Sequence, residues 1–132
     1  MALDPEINLP EIVAEVTAAF MRYEEALNTN EVAVLDELFR DAPYTLRYGI
    51  AEELYGHAQI AAYRGARAAP GRRVIANTTI TTFGRDFATA SNEFRRPGQA
   101  RNGRQQQSWV RFAEGWRIVA AHVSFTAAND GK

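Results

Sequence analysis

Apolar residues recur at three- and four-residue steps through the first part of the chain and at two-residue steps through its second half. Pro10 suits the first turn of a helix, and Ile12, Val16, Ala19 with Phe20, Tyr23 and Leu27 then form one stripe over four turns. Asn28-Thr29-Asn30 interrupts the stripe, with Asn30 placed as N-cap of a second helix whose buried face is Val34, Leu35, Leu38 and Phe39. Asp41-Ala42-Pro43 ends that helix. Tyr44 to Tyr48 alternates as a strand, and Gly49 leads into a further extended segment, Glu52 to Tyr55. Gly56 opens a third helix from His57 to about Ala69, closed by Pro70-Gly71. From Val74 the period is two, and Val74–Phe83, Phe87–Arg96, Gln105–Phe112 and Trp116–Phe125 read as strands. Their connections are of hairpin length, so an antiparallel meander is expected, with the early strand added at an edge or paired with a non-neighbour. The small, polar tail after Thr126 is expected to fray.

Helices first and strands afterwards define an α+β chain: three N-terminal helices packed on a curved antiparallel sheet, with a conical pocket between the layers. The length of 132 residues and 46% hydrophobic content fit a single domain spanning residues 1–132. Cysteine is absent, which removes disulfides, thiolate nucleophiles and Cys-ligated zinc and makes the cytoplasm the default location. The opening MALDPEINLP has neither the basic nor the apolar region of a signal peptide. No stretch approaches the roughly 18 apolar residues of a membrane span.

Net charge is only −1, yet residues 1–60 hold twelve acids against three arginines, and residues 61–132 hold twelve basic residues against four acids. The helical half is acidic and the sheet half basic. One consequence is mutual attraction of the two layers. The other is a small anionic ligand held by the arginine-rich half. No RNP motif, basic helix or high pI accompanies the arginines, so nucleic acid is not expected as a partner. The two histidines, His57 and His122, stand in different elements without a ligand-type spacing, and no glycine-rich phosphate loop is present. A cofactor-free, metal-free pocket is therefore expected.

Several side chains are candidates for its chemistry. Tyr23 lies on the apolar stripe of the first helix, so its hydroxyl needs a partner: a backbone carbonyl in the core, or a reacting group in the pocket. Arg47 has the opposite parity from Leu46 and Tyr48, and parity alone favours solvent. By simple alternation His122 and Ser124 share a face with Trp116, Ile118 and Ala120. That leaves His122 open as a structural histidine or a base, and Ser124 as a substrate contact or a backbone partner. A Ser-His-Asp triad lacks any carboxylate to orient it. Trp109 is a pocket wall or a dimer-interface residue. Glu93 is a base, an arginine partner or a surface residue. Arg64 and Arg67 of the third helix reach the pocket mouth or form a solvated face.

The closing segments Trp109-Val-Arg, Gly115-Trp116-Arg-Ile-Val and His122-Val-Ser124 resemble those of the nuclear transport factor 2-like superfamily of cone folds, which includes ketosteroid isomerases and polyketide cyclases. A narrower resemblance covers almost the whole chain. Leu46-Arg47-Tyr48-Gly49, Tyr55-Gly56, Thr81-Thr-Phe83-Gly84, Phe87-Ala-Thr89, Glu93-Phe94-Arg95, Gly103-Arg104-Gln105 and Trp116-Arg-Ile-Val-Ala-Ala-His122-Val-Ser124 look like the AtzH-like family of bacterial nitrogen catabolism. That resemblance implies a small protein, dimeric through its sheet and acting beside an amidase-signature enzyme in cyanuric acid or oxalurate breakdown. The implied substrate is a small anion, a carboxylated urea or amide such as 1,3-dicarboxyurea or oxalurate, and the implied activity is amide hydrolysis linked to decarboxylation. The family's suspected tyrosine and arginine fall on Tyr23 and Arg47, which moves Arg47 from solvent to the pocket lumen; His122, Ser124, Glu93 and Trp109 are then secondary substrate contacts. Two other readings stand beside this one: a non-catalytic ligand-binding or assembly module, and an isomerase or cyclase. The last is disfavoured because the isomerases' carboxylate strand here reads Thr45-Leu46-Arg47-Tyr48.

Overall fold

The computed structural model describes residues 4–127. The tail beyond Ala127 lies outside them. The elements follow as α1 (Pro10–Thr29), α2 (Val32–Leu38), β1 (Leu46–Tyr48), β2 (Glu53–Tyr55), α3 (His57–Ala66), β3 (Val74–Phe83), β4 (Phe87–Arg95), β5 (Gly103–Phe112) and β6 (Gly115–Phe125). The stripe on α1 is buried as its period requires, with Ile12, Val16 and Phe20 at most 1% exposed; each such side chain contributes about 1.5–3 kcal/mol by leaving water. Asn30 differs from expectation. It adopts the left-handed conformation, φ 57°, and its N–H closes the C-terminus of α1, because asparagine tolerates the αL region. The second helix starts two residues later. The third stops at Ala66, and the chain then runs to Arg73, whose N–H donates to Asn28 Oδ1 at 3.0 Å and ties this segment to the end of α1.

One six-stranded sheet has the order β2-β1-β6-β5-β4-β3. The β3–β6 meander is antiparallel as expected, and β1 pairs antiparallel with β2, but β1 adds to the free edge of β6 in parallel register. All three helices, α3 through Ile60, contribute to one core against the inward residues of β4, β5 and β6, among them Ala88, Ala90, Trp109 and Ile118. Two register shifts, between Ala76 and Thr79 and between Ser108 and Trp109, interrupt the ladders; bulges of this kind bend a sheet and increase its twist. The second one governs the position of His122. Trp109 pairs with Ile118 and Ser108 with Ala120, so Val119 is an extra residue and the inward set changes from Trp116 and Ile118 to Ala121 and Val123.

Candidate anion-binding cavity

Between the ends of α1 and α3 and the inward faces of β1, β4, β5 and β6 lies a cavity of about 120 Å3. That is room for roughly four waters, and well below the roughly 300–1,000 Å3 of pockets for larger organic ligands. Five arginines line it: Arg47, Arg64, Arg67, Arg73 and Arg96. Tyr23, Glu52, Tyr63, Phe94 and Gln105 complete the polar and aromatic wall.

Two of these arginines are already neutralised. Arg73 donates twice to Glu24, from Nε and Nη2 at 2.8 Å each, and once to Gln105 Oε1 at 3.2 Å, while its guanidinium lies 4.4 Å from the centre of the Phe94 ring. Gln105 in turn donates to Asn92 Oδ1, so a buried polar chain links α1 to the sheet. Arg47 donates to Glu52 Oε1 at 3.0 Å, and Gly49 makes room for this pair: a Cβ there would collide with the Glu52 carboxylate and stand 2.9 Å from Arg47 Nη1. Burial opposes ionisation of Glu52, but hydrogen bonds from Arg47 and Tyr63 and the Arg47 charge outweigh it and hold the carboxyl below its ordinary range. Among the described residues Arg64, Arg67 and Arg96 make no ion pair, and the Nε atoms of Arg64 and Arg96 are buried without a partner.

Tyr23 stands at the centre of this field. It is 2% exposed, and Arg64 Nη2 donates to its hydroxyl oxygen at 2.8 Å. A phenol oxygen that accepts from a guanidinium keeps its own hydrogen free for another acceptor. Burial is the largest influence on Tyr23 and raises its pKa; the charges of Arg64, Arg47 and Arg73 and the Arg64 hydrogen bond together exceed it, so the phenol sits below its ordinary value. Arg64 and Arg96 are pushed down, first by burial and then by neighbouring arginines, yet a guanidinium keeps its proton. The cavity thus combines an acidified phenol with cations lacking counter-ions.

Tyr23 and Arg47 line the same cavity, the latter only 6% exposed: β1 turns its odd-numbered side chain toward the lumen. The other sequence candidates do not join them. His122, Ser124 and Glu93 flank a separate, open depression on the outer face of the sheet, with Gln106 and Arg104. The cause for His122 and Ser124 is the bulge at Val119, which reverses the alternation assumed from the sequence. His122 packs edge-on against Tyr48 there, and Glu93 accepts from Asn77 and Asn102 at 2.7 and 2.6 Å. Trp109 is neither cavity wall nor available interface; it is fully buried in the core and donates to Gln107 Oε1 at 3.0 Å. Arg64, open to a solvated face in the sequence, is 2% exposed. Its signal was the step from Ile60, four residues earlier on the buried face of α3. Glu24 carried the same signal, four residues beyond Phe20. Arg73 and Arg96, outside any helical stripe, carried none. Among the described residues no group of three or more His, Asp or Glu side chains is arranged to hold a metal ion, and no helix is long and apolar enough to cross a membrane.

Helices laid on a bent sheet of this topology, with a polar cavity between the layers, place the chain in the nuclear transport factor 2-like class of α+β folds. A superfamily member from Salmonella enterica serovar Typhimurium shares the architecture at a TM-score of 0.73 and 25% identity, over 92% of this chain and 96% of that one. The AtzH-like family profile matches residues 5–129, and the chain belongs to the AtzH-like family. A crystal structure of a protein of unknown function from Pectobacterium atrosepticum is 55% identical, with a TM-score of 0.90, over 92% of this chain and 95% of that one. A cystatin-like fold protein from Burkholderia xenovorans is 47% identical, also at 0.90, over 95% and 99% of the two chains. No functionally curated protein matches the chain.

Proposed function

We propose that the cavity binds a small carboxylated urea or amide, such as 1,3-dicarboxyurea or oxalurate, and assists its breakdown at a carbon–nitrogen bond. The observation that carries this reading is a buried, acidified tyrosine bonded by Arg64 in a cavity of about 120 Å3 whose wall holds three arginines without carboxylate partners. Excess positive charge selects an anion, and the small volume argues against the polycyclic ligand of an isomerase or cyclase.

For 1,3-dicarboxyurea the step these residues suit is loss of carbon dioxide. The bond between a terminal carboxylate carbon and nitrogen breaks, its electron pair passes to nitrogen, and the proton that nitrogen requires comes from the Tyr23 hydroxyl. The phenolate left behind is held by Arg64 and recovers its proton from water; the organic product is allophanate. Such a step needs charge control and one proton. Hydrolysis of an unactivated amide asks for more, and the chain has no cysteine to supply a thiolate. Arg47 contributes positive potential and a second set of donors for carboxylate. The outer sheet face, separate from the cavity, is left to seat a second copy of the chain, as the family resemblance implies.

The test is a panel of carbon-13-labelled carboxylated ureas and oxalurate incubated with the purified protein alone. From 1,3-dicarboxyurea carbon dioxide is expected before ammonia, with kcat falling about 10²–10⁴-fold in Tyr23→Phe and substrate capture weakened in Arg47→Ala. Ammonia preceding carbon dioxide refutes the step. Absence of turnover across the panel refutes catalysis and leaves a ligand-binding module.

A further inference from the structure

Not every arginine in the cavity has the same capacity to take a ligand. Arg73 is saturated by Glu24 and Gln105, and Arg47 is paired with Glu52, so an incoming carboxylate must displace an internal one at either position. Arg67 and Arg96 lack counter-ions but are more exposed, where water already solvates part of their charge. Arg64 differs from all four. It is 2% exposed, its one side-chain hydrogen bond goes to the Tyr23 hydroxyl rather than to a carboxylate, and Nε is buried without a partner. A buried cation in that state is costly in the free protein, and the cost is relieved when an anion enters.

We infer that Arg64 is the primary anion anchor of the cavity: the ligand carboxylate seats against its guanidinium, beside the Tyr23 hydroxyl that the same guanidinium orients. The assignment rests on the proposed function only in taking the ligand to be a small anion; it does not require turnover. It makes Arg64 a binding residue toward the carboxylate and a positioning residue toward Tyr23. The Arg64–Tyr23 hydrogen bond fixes the phenol oxygen as acceptor on one side, so its hydrogen faces the ligand. The bound carboxylate and the reacting nitrogen are thereby addressed by two groups already held together at 2.8 Å.

Glutarate is a suitable probe, since it spaces two carboxylates as 1,3-dicarboxyurea does and has no carbon–nitrogen bond to break. Calorimetric titration and thermal melting of the wild type, Arg64→Met and Arg47→Met separate the roles. Arg64→Met is expected to lower glutarate affinity by about ten- to a hundredfold, and Arg47→Met by less than about fivefold, because Glu52 already occupies Arg47. Ligand-free Arg64→Met is expected to melt higher than the wild type, by roughly 3–10 °C, since a buried charge without a counter-ion has been removed. A purely structural arginine gives the opposite sign. No glutarate binding by the wild type, equal binding by Arg64→Met, or a lower melting temperature of that variant each overturns the assignment. Arg64-dependent glutarate binding without turnover of any labelled urea sinks the proposed reaction and leaves the anchor standing; turnover with Arg64-independent binding does the reverse.

Discussion

Replacing Arg73 by methionine removes one half of the buried ion pair that joins α1 to the segment before β3. The side chains of Arg73 and Glu24 are 2% and 5% exposed, so Glu24 is left as a charged carboxylate without water or a cation. Two charged hydrogen bonds of 2.8 Å, a third of 3.2 Å to Gln105 and the stacking over Phe94 disappear together. Breaking a buried pair on one side costs about 3–5 kcal/mol, a large share of the roughly 5–15 kcal/mol by which a domain is stable. For a chain of this length the melting temperature should fall by roughly 10–18 °C. Urea titration gives the free energy directly. The double variant Glu24→Leu, Arg73→Met leaves no orphaned charge and should recover most of the loss, because the attraction within such a pair largely offsets its desolvation. A loss below about 1 kcal/mol in the single variant, or a double variant no more stable than the single one, refutes the view that Glu24 holds Arg73 as a structural cation.

Gly49→Ala drives the Glu52 carboxylate off Arg47, because the new methyl takes its space; glutarate binding should tighten by about three- to tenfold as Arg47 becomes free, and unchanged affinity counts against Glu52 as an internal competitor. The pH dependence of the same pair has a defined sign. Glu52 lies below its ordinary 4.5 in the folded protein, so the stability the pair adds is complete above that value and is lost as pH falls through the lower, folded one. Urea midpoints from pH 6 downward should therefore converge between wild type and Glu52→Gln, and parallel curves contradict the pairing. On the outer face, Ala120→Arg places a charge beside Tyr48 and His122 where a second copy is proposed to sit; sedimentation should show a monomer with unaltered glutarate binding, and an unchanged oligomer argues against that face.

Much of the fold was legible because period decides it: the α1 stripe and the four long strands follow directly from their spacing. What spacing misses is local and geometrical. Asn30 has the side chain of an N-cap and the backbone tolerance of a C-cap, and only the path from α1 to α2 decides between them. His122 and Ser124 were assigned from unbroken alternation, and one extra residue at Val119 inverted every position after it. For Trp109 the sequence leaves pocket wall and dimer interface open, and parity tells neither from core along a strand whose inward side chains run from Gln105 through Gln107 to Trp109. Arg47 shows the opposite case. Its parity was read correctly, yet which side of β1 faced the lumen depended on β1 joining β6 in parallel register, a pairing without local trace in the sequence.

The charge asymmetry between the halves offers two readings, attraction between layers or capture of an anion, and the structure distributes its charges so that the first does not exhaust them. Helical carboxylates reach across to sheet-half arginines in succession: Glu11 to Arg85, Glu15 to Arg111, Glu24 to Arg73, Glu25 to Arg72 and Glu37 to Arg117. Those pairs are mostly exposed and individually weak, and they account for the bland part of the asymmetry. The acids then run out on one side. Around the cavity five arginines meet only Glu24 and Glu52, and the unpaired Arg64, together with the paired Arg47 and Arg73, favours ionisation of the Tyr23 phenol. Among the described residues Arg64, Arg67 and Arg96 thus stand without an ion-pair partner where a ligand has room to bring a negative charge, and Arg64 is the most deeply buried of the three.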